Sequence, residues 1–77
     1  MKHNEVLETM TPPDLVIAAL GGVRAAARVL ACDPATVSRW RKAGHIPAHC
    51  QRRVLEAVWS KGVDITAYEL IFGRPAA

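Results

Sequence analysis

A short stretch in the middle of the chain concentrates side chains that can donate hydrogen bonds to a polar or charged partner. From Pro34 to Lys42 the sequence reads PATVSRWRK, which contains two hydroxyls, two guanidiniums and one ammonium. Guanidiniums donate paired hydrogen bonds to guanine edges and to phosphates, and hydroxyls bond base edges or phosphate oxygens. This combination of donors predicts contact with a nucleic acid.

The same stretch carries the signals of a short helix. Asp33 can accept hydrogen bonds from the free amides of a first turn, and the ring of Pro34 presets the backbone angle of the first helical position. Val37 and Trp40 lie three residues apart. At about 100° per residue they share one side of the helix, and we expect them to anchor it in a core.

The opposite side of this helix is predicted to meet the partner. Arg39 is expected to donate two parallel hydrogen bonds to a guanine, and Thr36 to bond a base edge or touch a thymine methyl. Ala35 is small enough to let the helix approach the bases. Phosphate contacts position a protein but carry no sequence information, and the residues expected to make them are Arg24, Arg28, Ser38, Arg41, Lys42 and His45.

A preceding helix is predicted from Val23 to Leu30, with a tight turn at Ala31, Cys32 and Asp33. Its apolar residues recur at the three-and-four spacing of an amphipathic helix. Ala27 is small enough to let another helix approach closely, so it is the third expected core anchor. Two short helices joined by a tight turn, the second carrying cations, fit the major groove of DNA.

A longer segment, ALGGVRAAARVLACDPATVSRWRKAGHIPAHCQRRVLEAV, resembles the small Cro-like helix-turn-helix repressors of the YdaS type, which occur in bacterial prophages and chromosomes. The matching features are the paired glycines, the alanine-rich first helix, the T-V-S-x-W-R-K stretch and the following G-x-I-P. The resemblance implies a lambda-repressor-like fold, with 34–42 as the recognition helix and Ala35, Thr36 and Arg39 as its base-facing residues. No matching motif occurs before Thr11 or from Tyr68 onward.

The charge distribution supports a polyanionic partner more strongly than the net charge of +3 does. Seven of the ten Lys and Arg residues lie between Arg24 and Arg53, where Asp33 is the one acidic residue. Neutralising phosphates releases condensed counterions, so such a block predicts DNA binding with a steep salt dependence. For any single cation the alternative is a solvated helix face.

The whole chain is predicted to be all-α, a compact bundle of four to five short helices with no convincing strand. We expect a flexible arm over 1–10 and one domain over 11–77, because 77 residues leave room for one small core. A first helix is expected from Thr11 or Pro12 to the glycine pair, and another from Pro47 to Gly62. The buried face of the helix after Pro47 is expected to consist of Val54, Leu55, Val58 and Trp59.

The tail over 63–77 is a possible dimerisation segment. Thr66 has the character of a helix cap, and the helix after it contains Tyr68, Leu70, Ile71 and Phe72, which are too apolar to be left in water. They either fold back onto the core, which we favour, or meet a second subunit. A two-fold dimer on DNA predicts half-sites ~34 Å apart on a near-palindromic operator.

Metal binding and catalysis are not expected. Cys32, His45, His49 and Cys50 match no common zinc spacing, and no paired C-x-x-C is present. A small helical domain whose acidic residues lie mostly near its ends has little room for a nucleophile, a base and an orienting group. We therefore predict no cofactor, no small-molecule ligand and no enzyme activity, and no disulfide in a reducing compartment.

The chain is expected to stay in the cytoplasm, associated with the nucleoid through DNA. No uninterrupted apolar run approaches the ~20 residues that cross a bilayer. The first ten residues, MKHNEVLETM, contain acids where an export signal would be apolar.

The function predicted from these features is sequence-specific regulation of transcription through double-stranded DNA, most simply as a repressor that occupies an operator as a homodimer. One alternative keeps DNA binding but adds a partner protein, as in an antitoxin or a mobile-element co-repressor. An antitoxin needs a segment that covers its toxin, and few residues follow Phe72. The other alternative is a protein-interaction module that does not contact DNA, which a gel shift with Arg39→Ala would distinguish.

Overall fold

Five helices follow one another in the computed structural model, which describes residues 9–75. They are joined by short turns and are preceded and followed by two-residue strands that pair antiparallel, Thr9 with Pro75 and Met10 with Arg74. Within these residues the fold is compact and mostly helical, as predicted. The elements are β1 (Thr9–Met10), α1 (Pro12–Leu20), α2 (Val23–Leu30), α3 (Pro34–Ala43), α4 (Ala48–Ser60), α5 (Ala67–Phe72) and β2 (Arg74–Pro75).

Three of the helices begin at side-chain caps, of which the sequence predicts Asp33 and Thr66, while Thr11 is expected only as a possible start of α1. The Thr11 hydroxyl accepts from the amide of Asp14 at the start of α1, and the Asp33 carboxylate accepts from the amide of Ala35 at the start of α3. Thr66 caps α5 in the same way. Each cap satisfies an amide that would otherwise lack an intrahelical acceptor, which fixes where the helix starts.

The core lies where α1, α2 and α3 meet the middle of α4. Val54 and Val58 of α4 are fully buried, and Ile46, in the turn before it, packs with them. The prediction that Trp59 is core is wrong, because its side chain is 53% exposed. Its indole Nε1 instead donates to the carbonyl oxygen of Ile65 at 2.8 Å, which ties the end of α4 to the segment before α5.

The apolar tail folds back only in part. Leu70 is buried in the core cluster, whereas Tyr68, Ile71 and Phe72 are 68%, 49% and 62% exposed. The favoured prediction that all four residues fold back is therefore wrong for three of them. A helix of six residues presents only one side to its neighbours, and α5 uses that side for Leu70.

The strand pair was not predicted, since two-residue strands are too short to show an alternating pattern. Because Thr9 and Met10 belong to this pair, they are not part of a free arm. The rest of the predicted arm, 1–8 with Lys2 and His3, lies outside the described residues. None of the helices in residues 9–75 is long and apolar enough to span a membrane.

Candidate nucleic-acid interface

The helix α3 is anchored by its apolar side. Val37 and Trp40 are 1% and 6% exposed, and Ala27 of α2 is 2% exposed. Val37 and Ala27 belong to one cluster with Ile17 and Ala26, while Trp40 packs into the larger cluster around α4. The two anchors of α3 thus enter different parts of the core, which restricts rotation of the helix about its own axis.

The opposite side of α3 is open to solvent and carries the three residues predicted to face bases. Ala35 and Arg39 are exposed, and Thr36 is partly exposed. The Arg39 Nη2 atom donates a hydrogen bond to the Thr36 Oγ1 atom at 3.2 Å. This bond directs one N–H of the guanidinium toward the N-terminal half of the helix, and among residues 9–75 the side chain makes no other hydrogen bond, so its remaining donors are open to a partner.

The turn between α2 and α3 is fixed by hydrogen bonds to the last carbonyls of α2. Ala31 has φ 56°, in the left-handed region, and the amide of Cys32 donates to the Ala27 oxygen at 3.0 Å. Arg53 of α4 donates from Nη2 to the Leu30 oxygen at 3.1 Å. These contacts satisfy carbonyls that have no partner within the helix, and they connect the turn to α4.

Cationic side chains flank α3 at both ends. Arg24 and Arg28, exposed on α2, line a shallow groove beside Pro34 at the start of α3. Lys42 and His45 are exposed at its other end, near Gly44, where the helix stops in a left-handed turn. The two remaining residues predicted to contact phosphates, Ser38 and Arg41, are exposed on α3.

An open hollow of about 650 Å³ lies between the C-terminal half of α3 and the start of α4. Arg39, Lys42 and His45 line it together with His49, an exposed residue of α4. Beyond the rejected zinc site, sequence reasoning assigns no role to His49, because its position beside α3 depends on the turn through Pro47. The signal available in the sequence was the G-x-I-P stretch, which requires a sharp change of direction.

The electrostatic character of this surface is positive. No Asp or Glu among the described residues lines either the hollow or the groove beside Pro34. Asp33, the one acidic residue between Arg24 and Arg53, accepts the capping hydrogen bond of α3, and its single negative charge is outnumbered by the seven Lys and Arg residues of that segment. The exposed side of α3 therefore combines hydrogen-bond donors at its centre with cations at its two ends.

The cysteine and histidine residues do not form a metal site in the described part of the chain, where no group of three or more metal-ligating side chains comes together. Burial raises the pKa of the Cys32 thiol, although the nearby Arg53 opposes this shift. Cys32 is therefore a protonated, partly buried packing residue at neutral pH.

Comparison with known proteins found no match among protein-family models, curated proteins or solved structures.

Proposed function

We propose that this chain is a sequence-specific regulator of transcription that binds double-stranded DNA through the exposed side of α3, most simply as a repressor that occupies an operator. The observation that carries the proposal is the pair formed by Arg39 and Thr36 on a helix whose other side is anchored in the core. In this proposal α2 and α3 form a helix-turn-helix, and α3 is its recognition helix.

The shape of the exposed side of α3 favours the major groove. The groove is about 12 Å wide and admits one α-helix. Ala35, in the first turn of α3, has no bulk to hold the helix away from the base edges. Thr36 and Arg39 follow within about one turn. A helix inserted in the groove therefore presents a small residue, a hydroxyl and a guanidinium to neighbouring base pairs.

The positions of the cations favour a duplex over an isolated phosphate. A major groove is bordered by a phosphate backbone on each side, so a helix that lies across the groove meets phosphates near both of its ends. Arg24 and Arg28 lie near one end of α3, and Lys42 lies near the other, where the imidazoles of His45 and His49 add ring nitrogens that can hydrogen-bond to phosphate. This distribution supports the phosphate contacts that we assign to them.

The turn also supports the proposal. Helix-turn-helix units join their helices through a turn of three or four residues that often contains glycine, because one residue adopts a conformation that favours glycine. Here Ala31 adopts that left-handed conformation, and the bond from Arg53 to Leu30 holds the turn against α4. The orientation of α3 relative to α2 is thereby set before any partner binds.

A gel shift against a pool of duplex DNA tests the proposal. We expect the native chain to bind DNA at low salt and its affinity to fall steeply as salt rises. Arg39→Ala is expected to lose about 1 to 3 kcal/mol of binding free energy on a specific site. The matched control is Lys61→Ala, which also removes one exposed cation but follows the last residue of α4, about 18 Å of helical rise from His49.

The proposal is contradicted if the native chain binds no DNA at low salt. That result would favour a protein-interaction module built on the same scaffold. If Arg39→Ala and Lys61→Ala lose equal binding free energy, the cations act only through their charge, and base recognition by Arg39 is contradicted.

A further inference from the structure

We propose that the outer side of α4 and α5 binds a second copy of this chain and makes the protein a two-fold symmetric dimer. This surface, here called the α4–α5 face, has an apolar centre and a charged edge on α4. It uses no residue of α3, so dimerisation leaves the candidate nucleic-acid interface free. Its apolar centre is formed by Trp59, Tyr68, Ile71 and Phe72, and its edge by Arg52 and Glu56.

The helical spacing and the contacts bring these residues to one surface. On α4, Arg52, Glu56 and Trp59 are separated by four and three residues and therefore share a side of the helix. Arg52 also lines the cleft between α4 and α5 together with Ile71. On α5, Tyr68 and Phe72 are one turn apart and their rings contact each other, with centroids 4.6 Å apart.

The exposed apolar area is large for a chain of this size. A buried aromatic side chain covers about 150–250 Å², so Trp59, Tyr68 and Phe72, each more than half exposed, together present roughly 400 Å². A specific interface of standard size buries about 800 Å² per partner. The three aromatic side chains thus supply about half of what a stable dimer requires, and Ile71 and the charged edge add to it.

The charges at the edge favour a second copy over an unrelated partner. Arg52 and Glu56 form an ion pair at 3.3 Å, but their side chains are 91% and 63% exposed, so the pair contributes little within one chain. In a two-fold interface a residue that contacts another across the axis is matched by the reciprocal contact. Arg52 of each copy can therefore pair with Glu56 of the other, and both pairs become less exposed.

A first experiment measures the oligomeric state by sedimentation equilibrium over a wide range of protein concentration, without DNA. We expect a reversible monomer–dimer equilibrium in the native chain. Phe72→Lys places a charge in the apolar centre, yet it is compatible with the C-terminal end of a helix. It should raise the dissociation constant at least about tenfold, which is about 1.4 kcal/mol. Ala18→Lys, at an exposed position of α1, is the control and should leave the constant unchanged.

A second experiment uses the charged edge and does not depend on the apolar centre. Arg52→Glu makes the edge acidic and Glu56→Arg makes it basic, so each variant alone should dimerise less than the native chain. An equimolar mixture of the two should form heterodimers, because each edge then meets one of opposite charge. Circular dichroism of both variants checks that these exposed substitutions leave the helices intact.

The proposal is overturned by a native chain that is monomeric at every concentration. It is equally overturned if Phe72→Lys dimerises like the native chain, or if the mixed charge variants do not associate. The dimer has a consequence that rests on the proposed function, namely two copies of α3 related by a two-fold axis on a near-palindromic site. If the chain binds DNA as a monomer, the dimer proposal is contradicted and the proposed function is not. If it dimerises but binds no DNA, the proposed function is contradicted and the dimer is not.

Discussion

The Nη2 atom of Arg39 donates a hydrogen bond to the Oγ1 atom of Thr36, 3.2 Å away and one turn earlier on α3. The bond is exposed, and no other described element is needed to form it. It favours one direction of the flexible arginine side chain before a partner arrives. In our proposal this preorganisation makes the two residues one recognition unit and lowers the entropy lost when Arg39 binds a base.

We therefore expect Thr36 and Arg39 to be energetically coupled in DNA binding. Thr36→Val keeps the branched shape of the side chain but removes the hydroxyl, so it should weaken specific binding partly through Arg39. In a double-mutant cycle with Arg39→Ala, titrated on one specific duplex, the two losses should fail to add by about 0.5 kcal/mol or more. Strictly additive losses would show that the two residues act independently.

Lys42 is expected to contact phosphate and not a base. Lys42→Ala should weaken binding to all sequences alike and reduce the slope of log K against log salt concentration by about one unit. Gel shifts on a specific and an unrelated duplex at several salt concentrations measure both effects. Lys61→Ala should leave the slope unchanged, and a slope change of similar size for Lys61→Ala would argue against a localised interface.

The two tryptophans are expected to differ in their contributions to stability. Trp40 is buried, and Trp40→Ala should leave a cavity that costs about 3 to 5 kcal/mol, a large part of the stability of a small domain. Trp59→Phe removes the hydrogen bond to Ile65 together with part of a half-exposed ring, and should cost about 1 kcal/mol. Urea unfolding followed by circular dichroism compares them, and equal midpoints would contradict the burial of Trp40.

The left-handed residue in the turn between α2 and α3 offers a stability test in the opposite direction. Ala31 adopts φ 56°, which is unfavourable for a residue with a Cβ atom. Ala31→Gly should therefore raise the free energy of unfolding by about 0.5 to 1 kcal/mol. Gly44 ends α3 at φ 82° with open space around it, so Gly44→Ala should lower stability by a similar amount through backbone strain alone. Thermal denaturation that shows no rise for Ala31→Gly would contradict this conformation.

The ion pair between Glu69 and Arg74 predicts a loss of stability in acid. The guanidinium of Arg74, at 2.8 Å, and the amide of Thr66 hold the pKa of Glu69 at about 2, below its ordinary value of 4.5. A lowered pKa stabilises the folded state at pH values above 4.5, and this contribution is lost as the pH falls from there toward 2. Glu69→Gln should be less stable than the native chain at neutral pH and should lose less on acidification. Urea unfolding of both proteins at several pH values measures this difference. If the midpoints of the native chain and of Glu69→Gln fall in parallel as the pH is lowered, the pairing is contradicted.

Much of the fold follows from local signals in the sequence. The caps at Thr11, Asp33 and Thr66 and the glycine after α3 each depend on residues within one turn, so the helix boundaries could be predicted closely. The exposure of Trp59 could not be predicted, because its spacing from Val58 and Leu55 is also that of a residue on the buried side of α4. Its exposure depends on the path of the segment through Ile65, which accepts its indole hydrogen bond.

The candidate site shows the same division. Helical periodicity predicts which side of α3 is buried and which is exposed, and Trp40 is accordingly buried while Arg39 is exposed. The contributions of His49 and Arg53 depend on where α4 returns to the first helices, and that path has no local signature. The tail could be interpreted in two ways because six residues cannot bury both sides of a helix in one small domain.

Selection of bound duplexes from a random DNA pool, performed in parallel with the native chain and with Arg39→Ala, tests the central claim most directly. We predict that the native chain enriches one short motif, and that the variant enriches the same motif with discrimination lost at a single base pair. An identical motif for both proteins, or no enrichment by the native chain, would contradict base recognition by α3.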